Sequence, residues 1–431
     1  PAGNQTNYRR THCRYRQIKL RGQPVSPSLR RYNFDNVDAL MRQGLETVFP
    51  AGGLLGEQNG TTIFHRAYGW LDPDTQNLPT RKDSLFDLAS LTKLFTVTAF
   101  MTLVEKKSVG LDTPVARILP EFSGMRRITR QTDPHTGATL PPPAKFAGQM
   151  VNTAQITFRQ LLTHTSGLDA WQDFCRNTTQ TDIVPPPHQI RPEVRRHRLN
   201  TFLQNPNFVY PPGKQFLYSD LGFIALGEAI ERLSVMPLAE LLTRNVLTPL
   251  GLNSVGYNPL ARNIPRDIIA PTEFCRWRKR RIHGEVHDEN AACLGGEAGH
   301  AGLFATARDV AAFGRVFLDG GHGKSSPILS ADLLQEMTRE QIHLNGERRG
   351  LGWKLHTETN NPVGKAFSRH SYGHTGFTGT SLWIDPARDM LVVLLTNRVY
   401  RGRYNQSIAD FRLKLHQSIA TATNFSSGNS L

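Results

Sequence analysis

Strand-like segments stand at the two ends of this chain and helical ones fill its middle, a separation that constrains the fold more than any other feature. Gly52 to Gly69 is short and β-like, with Gln58-Asn59-Gly60 as a hairpin turn between two apolar runs. Gly379 to Trp383 and Met390 to Thr396 return to strand character around Asp385-Pro386-Ala387-Arg388. Between them the pattern is helical. Leu91 to Lys106 is a long apolar stretch, Thr157 to Leu162 and Leu221 to Leu233 have helical spacing, and Ala307 to Leu318 is amphipathic with Thr306 placed to cap it. Phe411 to Ile419 closes the chain as a helix. One sheet must therefore be assembled from distant segments, with a mostly helical lobe inserted between them. The polar, Pro-containing segment from about Met125 to Asn152 reads as a long surface loop, and Pro211-Pro212-Gly213 as a turn into a new element.

At 431 residues the chain can hold one large enzyme of two interleaved lobes. No run approaches the roughly 18 to 20 apolar residues that span a bilayer, so no transmembrane segment is expected. The formal charge of +15 is uneven, because residues 1–32 carry Arg9, Arg10, Arg14, Arg16, Lys19, Arg21, Arg30 and Arg31 and no acidic residue. That stretch reads as a flexible, solvated tail able to contact an anionic surface. A second basic cluster, Arg276 to Arg281, has no nucleic-acid motif around it either, and no specific nucleic-acid partner is expected. The four cysteines, Cys13, Cys175, Cys275 and Cys293, contain no CxxC pair and suggest neither a zinc site nor a dense disulfide framework. The basic start has no apolar segment behind it, so no secretory signal is expected within it.

Three short segments carry side chains capable of chemistry. Ser90-Leu91-Thr92-Lys93 opens the long apolar helix, and its spacing puts the serine oxygen and lysine amine on one face. A serine hydroxyl needs a neighbouring base, and a lysine can be one when burial and a nearby cation lower its pKa. Alone the motif arises by chance about once in such a chain, and a helix cap followed by a solvent-facing lysine is the bland alternative. The apolar flanks Phe86 to Ala89 and Leu94 to Val97 weigh against that alternative. Tyr218-Ser219-Asp220 precedes a helix, where Tyr218 could relay a proton if cations lower its pKa; otherwise it is a packed tyrosine with Asp220 as an N-cap. His374-Thr375-Gly376 lies beside Phe377 and before a strand, where glycine lets a substrate approach the backbone. The N–H groups of Ser90 and Phe377 are the candidate oxyanion donors; the alternative is a glycine-rich turn with a surface histidine.

The order and spacing of these elements resemble the serine β-lactamase and penicillin-binding-protein superfamily, particularly its class C-like branch with SxxK, YxN and KTG motifs. The resemblance covers roughly residues 33 to 415 and includes Leu161 to Leu168, Gly299 to Phe304 and Gly373 to Arg398. Gly284 to Asn290 is similar to the penicillin-binding protein 4B group, provisionally D-alanyl-D-alanine carboxypeptidases. The resemblance implies an α/β (α+β) fold of the β-lactamase/transpeptidase type, an antiparallel sheet flanked by helices. It places a sheet lobe at about 33–85 and 345–415, a helical lobe at about 86–344, and a C-terminal tail at 416–431. It further implies acylation of Ser90, a proton relay through Lys93 and Tyr218, Asp220 as a polar substrate contact, and His374, Thr375, Gly376 and Phe377 lining the cleft. No metal or organic cofactor is implied; a small-molecule or peptide substrate is, with a cell-envelope, periplasmic or secreted location.

Two departures matter. Asp220 stands where the family has Asn, and His374 where it has Lys, so the site is expected to lack a permanent cation. Both weigh against strong β-lactamase activity and fit esterase-like or peptidase-like members better. A zinc hydrolase using His283, His287, Asp288 and His300 is the metal rival, but their spacing matches no zinc motif and scattered surface histidines explain them more simply. A non-catalytic relative that keeps the cleft for ligand binding is the other rival, disfavoured because Ser90, Lys93 and Tyr218 are all retained.

Overall fold

The computed structural model describes residues 32–133, 136–173, 184–321, 327–359 and 361–424. Residues 1–31 of the expected basic tail, with Cys13, and also Cys175 lie outside the described residues. Eight strands form one antiparallel sheet in the order Ile342–Leu344, Glu347–Arg349, Lys354–Leu355, Tyr372–Thr375, Ser381–Asp385, Met390–Thr396, Ala51–Gln58, Thr61–Gly69. The N-terminal hairpin joins the C-terminal strands by pairing Ala51–Gln58 with Met390–Thr396. Its two-residue turn puts Asn59 and Gly60 at φ of 50° and 71°, the left-handed geometry that suits strand twist.

Met390–Thr396 shows why its sequence is apolar without alternation. Leu391, Val393 and Leu395 face the main core, while Met390, Val392 and Leu394 enter a second core on the opposite face. Both faces are covered, so every position is buried. Helices Asp35–Thr47 and Ile408–Asn424 contribute to the second core. Helix Ala307–Arg315, capped by Thr306 as expected, packs on the first face. The central helix Thr92–Glu105 is buried from Thr92 to Leu103, so apolar residues stand on every side of it, with Lys93 and four threonines buried among them.

Three boundaries differ from the sequence reading. Helix Ala307–Arg315 falls within the range assigned to the helical lobe but packs against the sheet. Residues 416–424 belong to the last helix rather than to a tail, because the apolar stripe of Leu415, Ile419 and Ala422 continues into the second core. The segment 125–152 is not one irregular loop: Met125–Arg127 pairs with Met150–Asn152, and Gln131–Thr132 with Thr139–Leu140. Among the described residues no helix is long and apolar enough to cross a membrane. Cys293 is disulfide-bonded and Cys275 is free and buried.

Candidate active site

The nucleophile candidate sits on a strained, clamped turn. Ser90 lies in the 3-10 turn Ala89–Leu91 that feeds helix Thr92–Glu105. Ala89 before it has φ of 48°, a left-handed conformation that costs a non-glycine residue free energy. Buried Asp87 holds it there: its Oδ1 accepts from Ala89 N–H at 2.8 Å and its Oδ2 from His287 N–H at 2.6 Å.

Lys93 is fully buried, and three oxygens surround its amine. Nζ donates to Ser90 Oγ at 2.9 Å and to the His300 carbonyl at 3.0 Å, and it ion-pairs with Asp220 Oδ1 at 2.7 Å. An ammonium has three N–H bonds, so this cage suits the charged form. Burial is the largest influence and disfavours that charge, but Asp220 and Tyr218 together outweigh it and hold Lys93 above its ordinary pKa. The expected lowering does not occur, because the nearest charged partner is an anion rather than a cation.

Asp220 is free for this pairing because it is not the cap of its helix. Ser219 Oγ caps Asp220–Ser234 by accepting from Gly222 N–H. Tyr218, just before, is buried, and its ring centroid lies 5.0 Å from Lys93 Nζ. The phenol forms no well-aligned hydrogen bond. Burial pushes its pKa up and the Asp220 charge adds to that, against an opposing pull from Lys93, so Tyr218 rests as a neutral phenol. His164, whose Nδ1 accepts from Ser219 N–H at 3.1 Å, backs the Tyr218 ring at 4.5 Å between centroids.

The third segment closes against the first. Thr378 Oγ1 donates to the Asp87 carbonyl at 2.7 Å and Thr380 Oγ1 to that of Leu88 at 2.9 Å. A Cβ on Gly376 would come within 2.1 Å of Thr380 Oγ1 and 2.5 Å of the Leu88 carbonyl, so only glycine fits. Arg398 Nε donates to Phe377 O at 2.7 Å and Arg412 Nη2 to Gly376 O at 3.2 Å, which fixes the turn's carbonyls and thereby its N–H directions. Neither Ser90 N–H nor Phe377 N–H has a hydrogen-bond partner among the described residues. His374 is buried rather than on the surface; burial first, then Lys93 and Arg349, keep its pKa well below the ordinary value and its ring neutral at pH 7.

All the expected site residues except buried Lys93 line one cleft of about 700 Å³: Ser90, Tyr218, Asp220, His374, Thr375, Gly376 and Phe377. Gln131, Thr136 and Gly137 of the 125–152 segment also line it. A larger cavity of about 1280 Å³, lined by Arg195, Glu231 and Glu297 among others, holds none of these reactive groups.

Sequence reasoning missed several neighbours. His287 and His300 are not surface histidines: they are buried, 3.1 Å from Glu273 and 2.7 Å from Asp288 respectively, and His300 supplies the carbonyl that holds Lys93. Their carboxylate partners make them structural pairs, and no cluster able to hold a metal occurs among the described residues. Arg349 and Lys354 bring permanent cations to the cleft despite His374. The signal for His287 and His300 was present in the Gly284 to Asn290 and Gly299 to Phe304 segments; for Arg349 there was none.

Comparison with known proteins identifies the family and the fold. The family model described as Beta-lactamase matches residues 37–417. The chain belongs to the Beta-lactamase family. It is thus a serine hydrolase, and the sheet flanked by helices is the β-lactamase/transpeptidase fold. A relative from Salmonella agona, provisionally named a D-alanyl-D-alanine carboxypeptidase, is 26% identical over 86% of this chain and 84% of its own length. Among solved structures, EstCE1, described as a hydrolase with promiscuous acyltransferase activity, superimposes with a TM-score of 0.65 at 20% identity, covering 89% of this chain and 97% of its own. The octameric penicillin-binding protein homologue from Pyrococcus abyssi gives 0.63 at 20% identity, over 90% and 77%.

Proposed function

We propose that this Beta-lactamase-family hydrolase acylates Ser90 and acts as a D-alanyl-D-alanine carboxypeptidase-like enzyme. The observation that carries the reading is the buried contact from Ser90 Oγ through Lys93 to Asp220, opening onto the cleft. Ser90 Oγ attacks a carbonyl carbon, and its proton passes into the Lys93–Tyr218 pair. Lys93 first has to shed a proton if it is the acceptor, since at rest it donates to Ser90. The N–H groups of Ser90 and Phe377 receive the developing oxyanion. As the bond to the leaving atom breaks, Tyr218 returns the proton to it; water then attacks the acyl-serine by the same route in reverse. His374, Thr375, Gly376 and Phe377 line the substrate's path.

The carboxypeptidase name of the Salmonella relative supports the peptide reading. An esterase is the second reading, favoured by the neutral His374 in place of a lysine. A catalytic domain beginning near residue 33, a basic tail that contacts an anionic surface, and a cell-envelope location complete the proposal. Steady-state hydrolysis of an acyl-D-Ala-D-Ala peptide, a short-chain activated ester and a penicillin, each with wild type and Ser90→Ala, tests it. Ser90-dependent release of D-alanine supports the peptidase; turnover of the ester alone makes the chain an esterase; no turnover by folded protein overturns catalysis.

A further inference from the structure

The catalytic cleft does not end at the indole of Trp171. Trp171 and Gly137 line both the cleft and a hollow of about 270 Å³ beside it. Arg130, Gln172, Asn205 and Asn207 line both that hollow and another of about 290 Å³. The three spaces share walls in series, so a groove leads from the cleft past Trp171 to Arg126 and Arg127 on strand Met125–Arg127.

Asp169 fixes this groove to the reacting groups. Its buried carboxylate accepts from Thr132 N–H at 2.8 Å, which ties down the hairpin of Gln131–Thr132 and Thr139–Leu140. Its carbonyl accepts from Ser219 Oγ at 2.6 Å, and the Ala170 carbonyl accepts from Asp220 N–H at 3.0 Å. The Asp169 N–H donates to the Asn207 carbonyl at 2.9 Å. Gln172 braces the same wall, its Oε1 accepting from Asn207 N–H and its Nε2 donating to the Asn205 carbonyl, both at 3.2 Å. A chain held in the groove would therefore lie at a set position relative to Ser90.

The lining decides what kind of chain fits. Beyond the cleft its apolar side chains are half-buried Trp171 and buried Pro206 and Phe208. The others are hydroxyls, carboxamides and charged groups, and an apolar acyl chain would leave them unpaired. Arg130 Nε and Nη2 share Asn207 Oδ1 at 3.3 and 3.2 Å, while exposed Arg127 has no hydrogen-bond partner among the described residues. A phosphate polymer needs a strong positive field, but Arg126, Arg127 and Arg130 stand against Asp173 in the lining and Asp169 behind it. A sugar chain suits both features: its C–H face lies on an indole, and its hydroxyls both donate and accept toward amides and guanidinium groups.

We propose that the groove past Trp171 is a glycan-binding subsite, holding a sugar chain carried by the acyl half of the substrate. The inference rests on the carboxypeptidase reading for that half: the leaving half is then a single residue, and only the acyl half is long enough to reach the groove. The enzyme's substrates are accordingly peptides attached to a glycan rather than free ones.

Calorimetric titration of Ser90→Ala with chitotetraose and cellotetraose tests the subsite without turnover and separates N-acetylated from plain sugars. One-site saturable binding of at least one of them is expected. Adding Trp171→Ala should weaken it about tenfold or more, the scale of an aromatic anchor, and adding Arg127→Gln, at an exposed position, about threefold, with thermal melts confirming the fold. In wild type, an acyl-D-Ala-D-Ala peptide bearing the preferred tetrasaccharide on its acyl end should have a KM about tenfold below that of the bare peptide, and Trp171→Ala should close the gap. Neither sugar saturating, affinity unchanged in both folded variants, equal KM for the two peptides, or tighter binding of a single-stranded oligonucleotide at physiological ionic strength each overturns the subsite. Sugar binding with neither peptide hydrolysed by folded wild type overturns the carboxypeptidase reading, and with it the place given to the acyl half.

Discussion

Replacing Asp220 with Asn keeps the side-chain shape and removes the charge that faces Lys93. At 2.7 Å the attraction is about 1.5 kcal/mol in a water-like medium and about 6 kcal/mol at an effective dielectric of about 20. The carboxylate is 22% exposed, which screens it toward the lower figure. A charge this close shifts a neighbour by about 1 to 3 pKa units, or about 1.4 to 4 kcal/mol. The Asp220 charge raises Lys93 and Tyr218 alike, so the direction is the same whichever accepts the Ser90 proton. A raised pKa confines the proton-accepting form to high pH; lowering it lets that form appear earlier. In Asp220→Asn the rise of kcat/KM with pH should therefore move about 1 to 3 units toward acid. The assay is hydrolysis of a non-ionising activated ester across the neutral and alkaline range, with thermal melts to confirm folding. A midpoint that stays put or moves alkaline in folded protein would refute the argument that Asp220 sets the proton affinity of this pair.

Gly376→Ala should destabilise the protein by about 1 to 3 kcal/mol, through contacts of 2.1 and 2.5 Å with Thr380 and Leu88, and lower turnover at least tenfold by shifting the Phe377 N–H; melting and ester kinetics on one preparation check both. Burial works to raise the Glu273 pKa, but His287 and Arg403 pull it down to about 2, below its unfolded value of 4.5. Its stabilising contribution, about 3 kcal/mol, is thus present above pH 4.5 and lost as pH falls toward 2. Glu273→Gln should flatten that part of the melting temperature against pH.

The two-ended strand pattern of the sequence was enough to foresee one sheet built from distant segments, because the Asn59-Gly60 turn and the apolar run at 390–395, bounded by the turn residues before it, both favour strands. The pairing within segment 125–152 leaves no mark in the sequence, because its strands are only two or three residues long, too short for a period to register. Ser90, Lys93, Tyr218 and His374 were legible as local motifs, and the structure brings them together. The proton state of Lys93 was not legible, since Asp220 and the His300 carbonyl reach its amine from 127 and 207 positions away in sequence. Arg349 is likewise defined by its neighbours in space: nothing in Glu347-Arg348-Arg349 distinguishes its second arginine from an exposed one. The burial of the histidines at 287 and 300 is not legible in the sequence, which does not show the carboxylates that pair with them in space.

The central claim is that Ser90 forms a covalent acyl-enzyme. Intact-protein mass after brief exposure to an activated short-chain ester and, separately, to a penicillin tests it most directly, with peptide mapping of any adduct and Ser90→Ala as control. The account predicts an acyl adduct on the peptide containing Ser90, absent from Ser90→Ala. An adduct on another residue, or no adduct together with no turnover by folded wild type, would contradict it.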